Sequence, residues 1–200
     1  WELEPDRPDP GITYDVALGD RICGIGGLES WSQPIRRKVD CYDTTTQAWT
    51  DGADVPVDNA FFFVLSDGGY AYVLGGMDKD SRKPLDTAWR YDPKSDQWTA
   101  LANLPIGFFA GGAAIVDGKI YLVGGYKHAV EAEADGDVPR DTSMLVYDIA
   151  EDTWDTSLPD MPHARLLYGT GVIKGRIAVF MGFADETTPT IELFDPQTKK

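Results

Sequence analysis

The feature that most constrains this chain is a set of sequence landmarks that recurs at a constant spacing. A double glycine ends an apolar run three times, and successive pairs are 49 residues apart. A Tyr-Asp pair follows each double glycine, and a tryptophan lies seven residues beyond each tyrosine. A weaker fourth copy has Met181-Gly182 and Phe194-Asp195. The three complete sets are Gly26, Tyr42 and Trp49, then Gly75, Tyr91 and Trp98, then Gly124, Tyr147 and Trp154. Landmarks repeated in phase predict a repeat protein whose units stack on one another.

The segments between the landmarks predict β-strands. Apolar runs at 12–18, 61–65, 70–74 and 120–123 are short and rich in β-branched and aromatic residues. Hairpin signals separate consecutive runs, as at 117–118, where the residues tolerate positive φ. A third strand ends at each Tyr-Asp pair, whose aspartate is expected to cap the following turn, and a fourth strand carries the tryptophan. We therefore predict four-stranded antiparallel sheets, which bury both faces when they stack radially as a β-propeller.

The quoted landmarks resemble the kelch repeat. The phrase 117–125 and the triplet 91–93 are similar to the kelch consensus, and the resemblance extends over the whole chain. It implies an all-β, kelch-type β-propeller with about four blade-sized repeats of four antiparallel strands, in a single domain over 1–200. The repeats run roughly over 10–55, 56–105, 106–160 and 161–200.

The ends of the sequence leave two interpretations of the ring. Trp1 lies 25 residues before Gly26, so the Trp1 region matches the last strand of a preceding blade. That strand either completes the last blade and closes a compact ring, or the repeats are part of a longer propeller. We favour the longer propeller because narrow rings crowd the central channel. In that case residues 1–3 are expected not to pair with residues 190–195.

The charge of the chain argues against two classes of partner. Lys and Arg total 18 against 33 Asp and Glu, which gives a net charge of −15. Such a chain has no basic footprint for nucleic acid or for anionic membrane surfaces. Its longest apolar stretch, 60–65, is far too short for a membrane helix.

The two cysteines of the chain predict no cofactor and do not determine its cellular compartment. Cys23 and Cys41 make no disulfide framework, and no Cys/His cluster predicts structural zinc. Sparse cysteines favour a reducing, cytoplasmic setting, but residue 1 is Trp rather than Met, so targeting cannot be read and the compartment is left open. No cofactor, metal site or catalytic residue is predicted.

Strand alternation predicts where recognition takes place. The second-to-third-strand connections and the blade-to-blade linkers leave the same end of each sheet, which we call the variable-loop face. The distance from the first glycine to the tyrosine is 16 residues in two repeats but 23 from Gly124 to Tyr147. The acidic insertion lies within 126–141 and is either a specificity loop or a tolerated, solvated insertion. Its candidate binding residues are Lys127, His128 and Glu131.

Further candidates precede the first strands of the later repeats. They are Asn59, Phe108, Phe109, His163 and Arg165. The two phenylalanines either anchor a partner or begin a buried strand. The two histidines, His128 and His163, suggest a metal or acid–base site, but exposed histidines are favoured because no ligand spacing is present. Some kelch-like adaptors bind acidic peptides through arginines in this region; only Arg165 matches loosely, so such a groove is not favoured.

These observations favour a protein–protein interaction module over an enzyme. The kelch resemblance implies a substrate-recognition or scaffold arm of a larger protein that binds protein partners through the variable-loop face. The alternative is a propeller enzyme that acts on a small sugar or sugar acid, epimerase- or oxidase-like, with 58, 131, 163 and 165 as its acid–base positions. A basic tract at 36–38 either meets an acidic partner or offsets nearby carboxylates, and the second interpretation is favoured.

Overall fold

The computed structural model describes residues 5–7, 12–28, 35–127, 141–166, 168–182 and 191–200. All regular elements in these residues are β-strands. No helix in this part of the chain has the length and apolar character needed to cross a membrane.

Blade 1 contains β1 (Ile12–Leu18), β2 (Arg21–Leu28), β3 (Ile35–Asp43) and β4 (Ala48–Gly52). Blade 2 contains β5 (Phe63–Ser66), β6 (Ala71–Leu74), β7 (Ala88–Asp92) and β8 (Gln97–Ala100). Blade 3 contains β9 (Gly112–Val116), β10 (Lys119–Gly125), β11 (Asp141–Asp148) and β12 (Thr153–Asp155). Blade 4 contains β13 (Gly169–Ile173), β14 (Arg176–Phe180) and β15 (Ile191–Phe194).

The four sheets form four blades of a β-propeller. Within each blade the strands pair antiparallel in chain order. The first strands of successive blades pack side by side, β1 on β5, β5 on β9 and β9 on β13. This arrangement confirms the all-β propeller that the landmarks predict. The pairing expected to be absent between 1–3 and 190–195 involves residues outside the described ranges, and it stays a prediction.

Three apolar cores lie between consecutive blades. In the first core, Cys23, Ile25 and Val39 of blade 1 pack with Ala71 and Val73 of blade 2. The second core joins blades 2 and 3, and the third joins blades 3 and 4. Each blade between two others therefore buries both of its faces. Because both faces are buried, the sequence of its central strands is continuously apolar.

The double glycine allows a linker to cross close to the end of the second strand. Gly75 and Gly76 have φ of +60° and +104°. The amide of Gly76 donates to the carbonyl of Phe108 at 2.9 Å, and a Cβ on Gly75 would overlap that same carbonyl. Glycine is required here both for its conformation and for the close backbone approach.

In blades 2 and 3, an aspartate five residues after the tyrosine clamps the incoming linker to the blade. In blade 3 the Tyr147 hydroxyl donates to Asp152 Oδ1 at 2.6 Å, and the amide of Ala102 donates to the same oxygen at 2.8 Å. The indole Nε1 of Trp154 donates to the Ala102 carbonyl at 2.8 Å. Blade 2 repeats the arrangement with Tyr91, Asp96, Trp98 and Ala53.

The aspartate of the Tyr-Asp pair has the capping role that the sequence predicts. Asp43 Oδ1 accepts hydrogen bonds from the amides of Thr45 and Thr46, both at 2.9 Å. Asp92 accepts from the amide of Lys94 in the same way. These carboxylates satisfy amides that the turn would otherwise leave without a partner.

The two cysteines form a disulfide within blade 1. Cys23 of β2 lies directly opposite Cys41 of β3, and their Cα atoms are 4.0 Å apart. Both side chains are buried. One disulfide is not a framework of several, but its presence removes the support that sparse cysteines gave to a reducing setting.

Candidate interaction face

The linkers and the second-to-third-strand connections meet at one end of the sheets. In blade 2, Ala60 of the linker pairs with Met77, which pairs in turn with Pro84. The amide of Asp78 donates to the carbonyl of Lys83 at 2.9 Å and closes this loop. In blade 3, Phe109 pairs with Tyr126 in the same manner. The two kinds of connection therefore lie against each other.

The connections at this end are uneven, whereas those at the other end are short. The strands β6 and β7 are joined through 75–87, and β10 and β11 through 126–140. At the opposite end β9 and β10 are joined through 117–118 alone, and β13 and β14 through 174–175. His128 and Glu131 fall in the longer connection but lie outside the described residues.

Asn59 and Arg165 are built into the scaffold. Both side chains are buried. Asn59 Nδ2 donates to the Gly75 carbonyl at 3.1 Å, and Arg165 Nη1 donates to the Met181 carbonyl at 3.2 Å. Met181 occupies the position that the first glycine has in the other repeats. Asn59 and Arg165 therefore have the same role, because each side chain bonds an incoming linker to the end of a second strand.

Phe108 and Phe109 are core residues. Both are buried. The ring of Phe108 stacks on Phe63 with centroids 5.8 Å apart, and that of Phe109 lies 5.3 Å from Tyr126. The two rings are therefore not exposed aromatic anchors. They are buried as the other interpretation expects, but they precede the strand rather than begin it, because β9 starts at Gly112.

His163 is the most exposed described member of the candidate set. About half of its side chain is exposed, and its Nδ1 contacts Glu192 Oε1. The buried Arg165 places Nη2 3.3 Å from the same oxygen. Glu192 thus orients the imidazole while Arg165 supplies the buried counter-charge. Sequence reasoning missed Glu192 because it lies 29 residues from His163, and only the fold brings them together.

Lys127 and Asp141 close the base of the acidic insertion. Lys127 Nζ lies 2.7 Å from Asp141 Oδ2. Burial raises the pKa of Asp141, but hydrogen bonds from Lys127 and Ser143 outweigh it and hold that pKa below its usual value. The two residues that flank 128–140 are therefore held together in an ion pair.

The basic tract in β3 is matched by carboxylates. Each of its side chains lies within ion-pair distance of an aspartate. The pairs are Arg36 with Asp40 at 2.5 Å, Arg37 with Asp58 at 3.7 Å and Lys38 with Asp51 at 3.1 Å. This supports charge offset within the fold as the role of the tract.

One cavity of about 420 Å³ lies between blades 3 and 4. Its wall is mainly apolar and includes Met144, Met161, Ile177 and Phe194, with Glu192 as a charged member. Within the described ranges no three His, Cys, Asp or Glu side chains group in a way that could hold a metal ion.

Radially packed antiparallel sheets with uneven loops at one end define a β-propeller domain. The chain belongs to the kelch-repeat family. Two family models, each described as the Kelch motif, match residues 60–105 and 108–162, which together make up just over half of the chain.

Individual relatives agree with the family. The chain is 29% identical to "Kelch-like protein terF" of Aspergillus terreus, with 91% of this chain and 42% of that protein covered. It is 30% identical to "Kelch-like protein 40" of Mus musculus, with 96% of this chain and 30% of that protein covered. The chain thus spans less than half the length of these relatives. The solved "Structure of YjhT" superposes with a TM-score of 0.72 at 13% identity, covering 90% of this chain and 65% of that one, and supports the fold alone.

Proposed function

We propose that this chain is a protein-binding domain that contacts its partners through the variable-loop face. The observation that carries the proposal is the contrast between the two ends of the sheets. One end has short, similar turns, and the other has connections of unequal length that lie against one another. A rigid frame with variable loops at one end is the usual arrangement of a recognition domain.

The partner is proposed to contact the exposed polar loops. Phe108, Phe109, Asn59 and Arg165 are buried in internal contacts, so they support the loops rather than touch a partner. The proposed contact residues are His163 at the rim and the insertion that contains Lys127, His128 and Glu131. The more specific form of this proposal is a substrate-recognition or scaffold role within a larger protein. The similarity to kelch-like proteins supports it.

Deletion of residues 129–138 tests the proposal. Because Lys127 and Asp141 remain paired at the base of the insertion, we expect the variant to keep its fold and melting temperature. Purified natural-length protein is used as bait, and its captured proteins are compared with those of the variant by quantitative mass spectrometry. We expect at least one partner to be lost.

A matched control changes the opposite end. Residues 68–69 form an exposed hairpin tip there and can be exchanged for other turn residues without changing the variable-loop face. This control should keep every partner. If the deletion also keeps every partner, the insertion is only a tolerated loop. If His163→Ala keeps them as well, the proposed contact set is wrong.

A further inference from the structure

The three linkers between the blades share one pattern of bonds and bends. Each contains a buried apolar residue whose amide donates to the carbonyl five residues before the repeat tyrosine. These bonds join Val55 to Arg37 at 2.8 Å, and Leu104 to Asp86 and Met161 to Thr142 at 2.7 Å. A proline follows the buried residue in every case, and the chain bends at the proline and at the residue after it. We call the residue after the proline the linker tip, and the three tips are Val57, Ile106 and His163.

The linker tips are more exposed than the residues two positions away on either side. Ile106 is 39% exposed, and about half of the His163 side chain is exposed. Val57 is half-buried and packs against the first core. The residues two positions beyond the tips are buried, namely Asn59, Phe108 and Arg165. Apart from His163, the candidates predicted in these linkers therefore lie beyond the position that faces solvent.

The three tips differ in chemistry although their surroundings repeat. The residue two positions before each tip is apolar and buried, and the residue directly before it is proline. The tips themselves are two aliphatic side chains and one imidazole. A side chain that changes on a constant frame alters the surface without altering the fold. Such positions are suited to discriminate between partners.

Ile106 is held in place by the backbone on both sides. The shared bond of the buried apolar residue precedes it, and after it the amide of Phe108 donates to the carbonyl of Leu85 at 3.2 Å. A Cβ on Gly107 would lie 2.7 Å from the carbonyl oxygen of Pro84, so the linker lies directly against the β6–β7 connection. A segment that is fixed before binding loses little conformational entropy when it binds. Ile106 is therefore a preorganised apolar contact on the variable-loop face.

His163 has one ring nitrogen that faces a partner. Its Nδ1 contacts the carboxylate of Glu192, which also lies beside the buried Arg165. Because a carboxylate accepts, the neutral imidazole donates through Nδ1, and its Nε2 is then a hydrogen-bond acceptor. This tip therefore suits an N–H or O–H donor.

We propose that the linker tips Val57, Ile106 and His163 determine which protein this domain binds. The partner is a protein segment that lies across neighbouring linkers of the variable-loop face. It packs an apolar side chain against Ile106 and donates an N–H or O–H hydrogen bond to Nε2 of His163. This inference rests on the proposed function, and it names the residues that select the partner and the chemistry that they select.

Peptides selected from a random library displayed on phage test the proposal with the natural-length protein. The selected peptides are synthesised with a fluorophore, and their Kd is measured by fluorescence anisotropy. We expect Ile106→Asp to raise the Kd at least about tenfold, because binding would desolvate a carboxylate in place of an apolar contact. Ile173→Asp is the matched control, because Ile173 is 54% exposed beside the turn at 174–175, at the opposite end of the sheets. The control should bind like the wild type.

Two substitutions test the hydrogen bond to His163. His163→Phe keeps a ring but removes the acceptor, so we expect it to weaken binding severalfold. His163→Gln keeps a polar group that can accept, so it should bind more tightly than His163→Phe. Equal binding by these two variants and the wild type would exclude His163 from the contact and overturn the proposal.

The remaining outcomes separate this inference from the proposed function. Peptides that bind Ile106→Asp as tightly as the wild type but lose affinity when 129–138 are deleted would reject the tips and keep the proposed function. Failure to select any peptide would also overturn the inference, while the bait comparison judges the proposed function independently. If Ile106→Asp melts below the control, Ile106→Ala replaces it, with an expected loss of affinity of about fivefold; an unchanged Kd overturns the proposal.

Discussion

At the residue scale, Asp152 shows how one carboxylate joins two blades. It accepts hydrogen bonds from the Ala102 amide, in the linker that leaves blade 2, and from the Tyr147 hydroxyl of its own blade. Both hydrogen bonds lower the pKa of Asp152 from its ordinary value of 3.8, and the bond from the Ala102 amide has the larger effect. In the opposite direction, burial and then the bond to Asp152 raise the pKa of Tyr147.

The lowered pKa predicts an acid-dependent contribution of Asp152 to stability. A carboxylate whose pKa is depressed by folding stabilises the native state above its unfolded pKa, and that stability is lost as pH falls through the folded pKa. We expect Asp152→Asn, which keeps an acceptor oxygen but removes the charge, to lower the melting temperature by a few degrees at pH 7. The difference from wild type should shrink below about pH 4 and vanish near pH 2.

Thermal melts of both proteins across this pH range measure the effect. Asp54→Asn is the control, because Asp54 is an exposed carboxylate in the equivalent linker of blade 1. It should differ little from wild type at any pH. A difference for Asp152→Asn that stays constant into strong acid would show that the charge does not act through these bonds.

The residues that sequence reasoning identifies are those whose role is local. The turn-capping Asp43 bonds amides two and three residues away, so the Tyr-Asp pattern is sufficient to predict it. Arg165 and Glu192 are different, because their pairing depends on how a linker crosses the end of a distant strand. The burial of Phe108 depends likewise on Phe63 in the preceding blade. Such contacts require the register between blades, which no single repeat contains.

At the element scale, strand positions follow the apolar runs except where the backbone departs from the extended conformation. The run 12–18 becomes β1 over the same residues. The run 61–65 predicts a strand that starts two residues too early, because β5 begins at Phe63. Phe61 has φ of +53°, and its amide donates to the Tyr14 hydroxyl at 3.1 Å. The chain therefore turns at Phe61, and a pattern of apolar residues does not reveal that turn.

The disulfide between β2 and β3 predicts a redox-dependent stability of blade 1. It links residues 18 apart in sequence across the two central strands of the blade. Closing a loop of this size restricts the unfolded chain and is worth about 3 kcal/mol in the chain-entropy model. We expect a reductant to lower the free energy of unfolding by roughly that amount, as measured by denaturant titration with and without dithiothreitol.

The double variant Cys23→Ala/Cys41→Ala is the control for this measurement. It cannot respond to the reductant, and it should match the reduced wild type apart from the loss of two buried sulfur atoms. Mass spectrometry after alkylation without reduction reports the state of the pair directly. Two alkylated cysteines in the native protein, or equal unfolding curves with and without reductant, would contradict the disulfide.

At the scale of the whole molecule, charge acts against compactness. The chain carries a net charge of −15 at pH 7, and its isoelectric point lies near 4.3. Many of its cations are already matched, as in the pairs of Arg36 with Asp40 and Lys127 with Asp141. The carboxylates in excess therefore repel one another, and this repulsion is stronger in the folded state than in the expanded unfolded chain.

This imbalance predicts that the effect of salt on the melting temperature depends on pH. At pH 7, sodium chloride should raise the melting temperature, because it screens a net repulsion over a Debye length of about 10 Å at 0.1 M. Near the isoelectric point the net repulsion is gone and only attractive pairs remain to be screened, so the same salt should leave the melting temperature unchanged or lower it. Scanning calorimetry at both pH values measures the slope of the melting temperature against salt concentration. A low protein concentration limits precipitation. Equal slopes would mean that the salt acts through preferential exclusion from the surface rather than through charge. A negative slope at pH 7 would mean that the exposed ion pairs outweigh the excess of carboxylates.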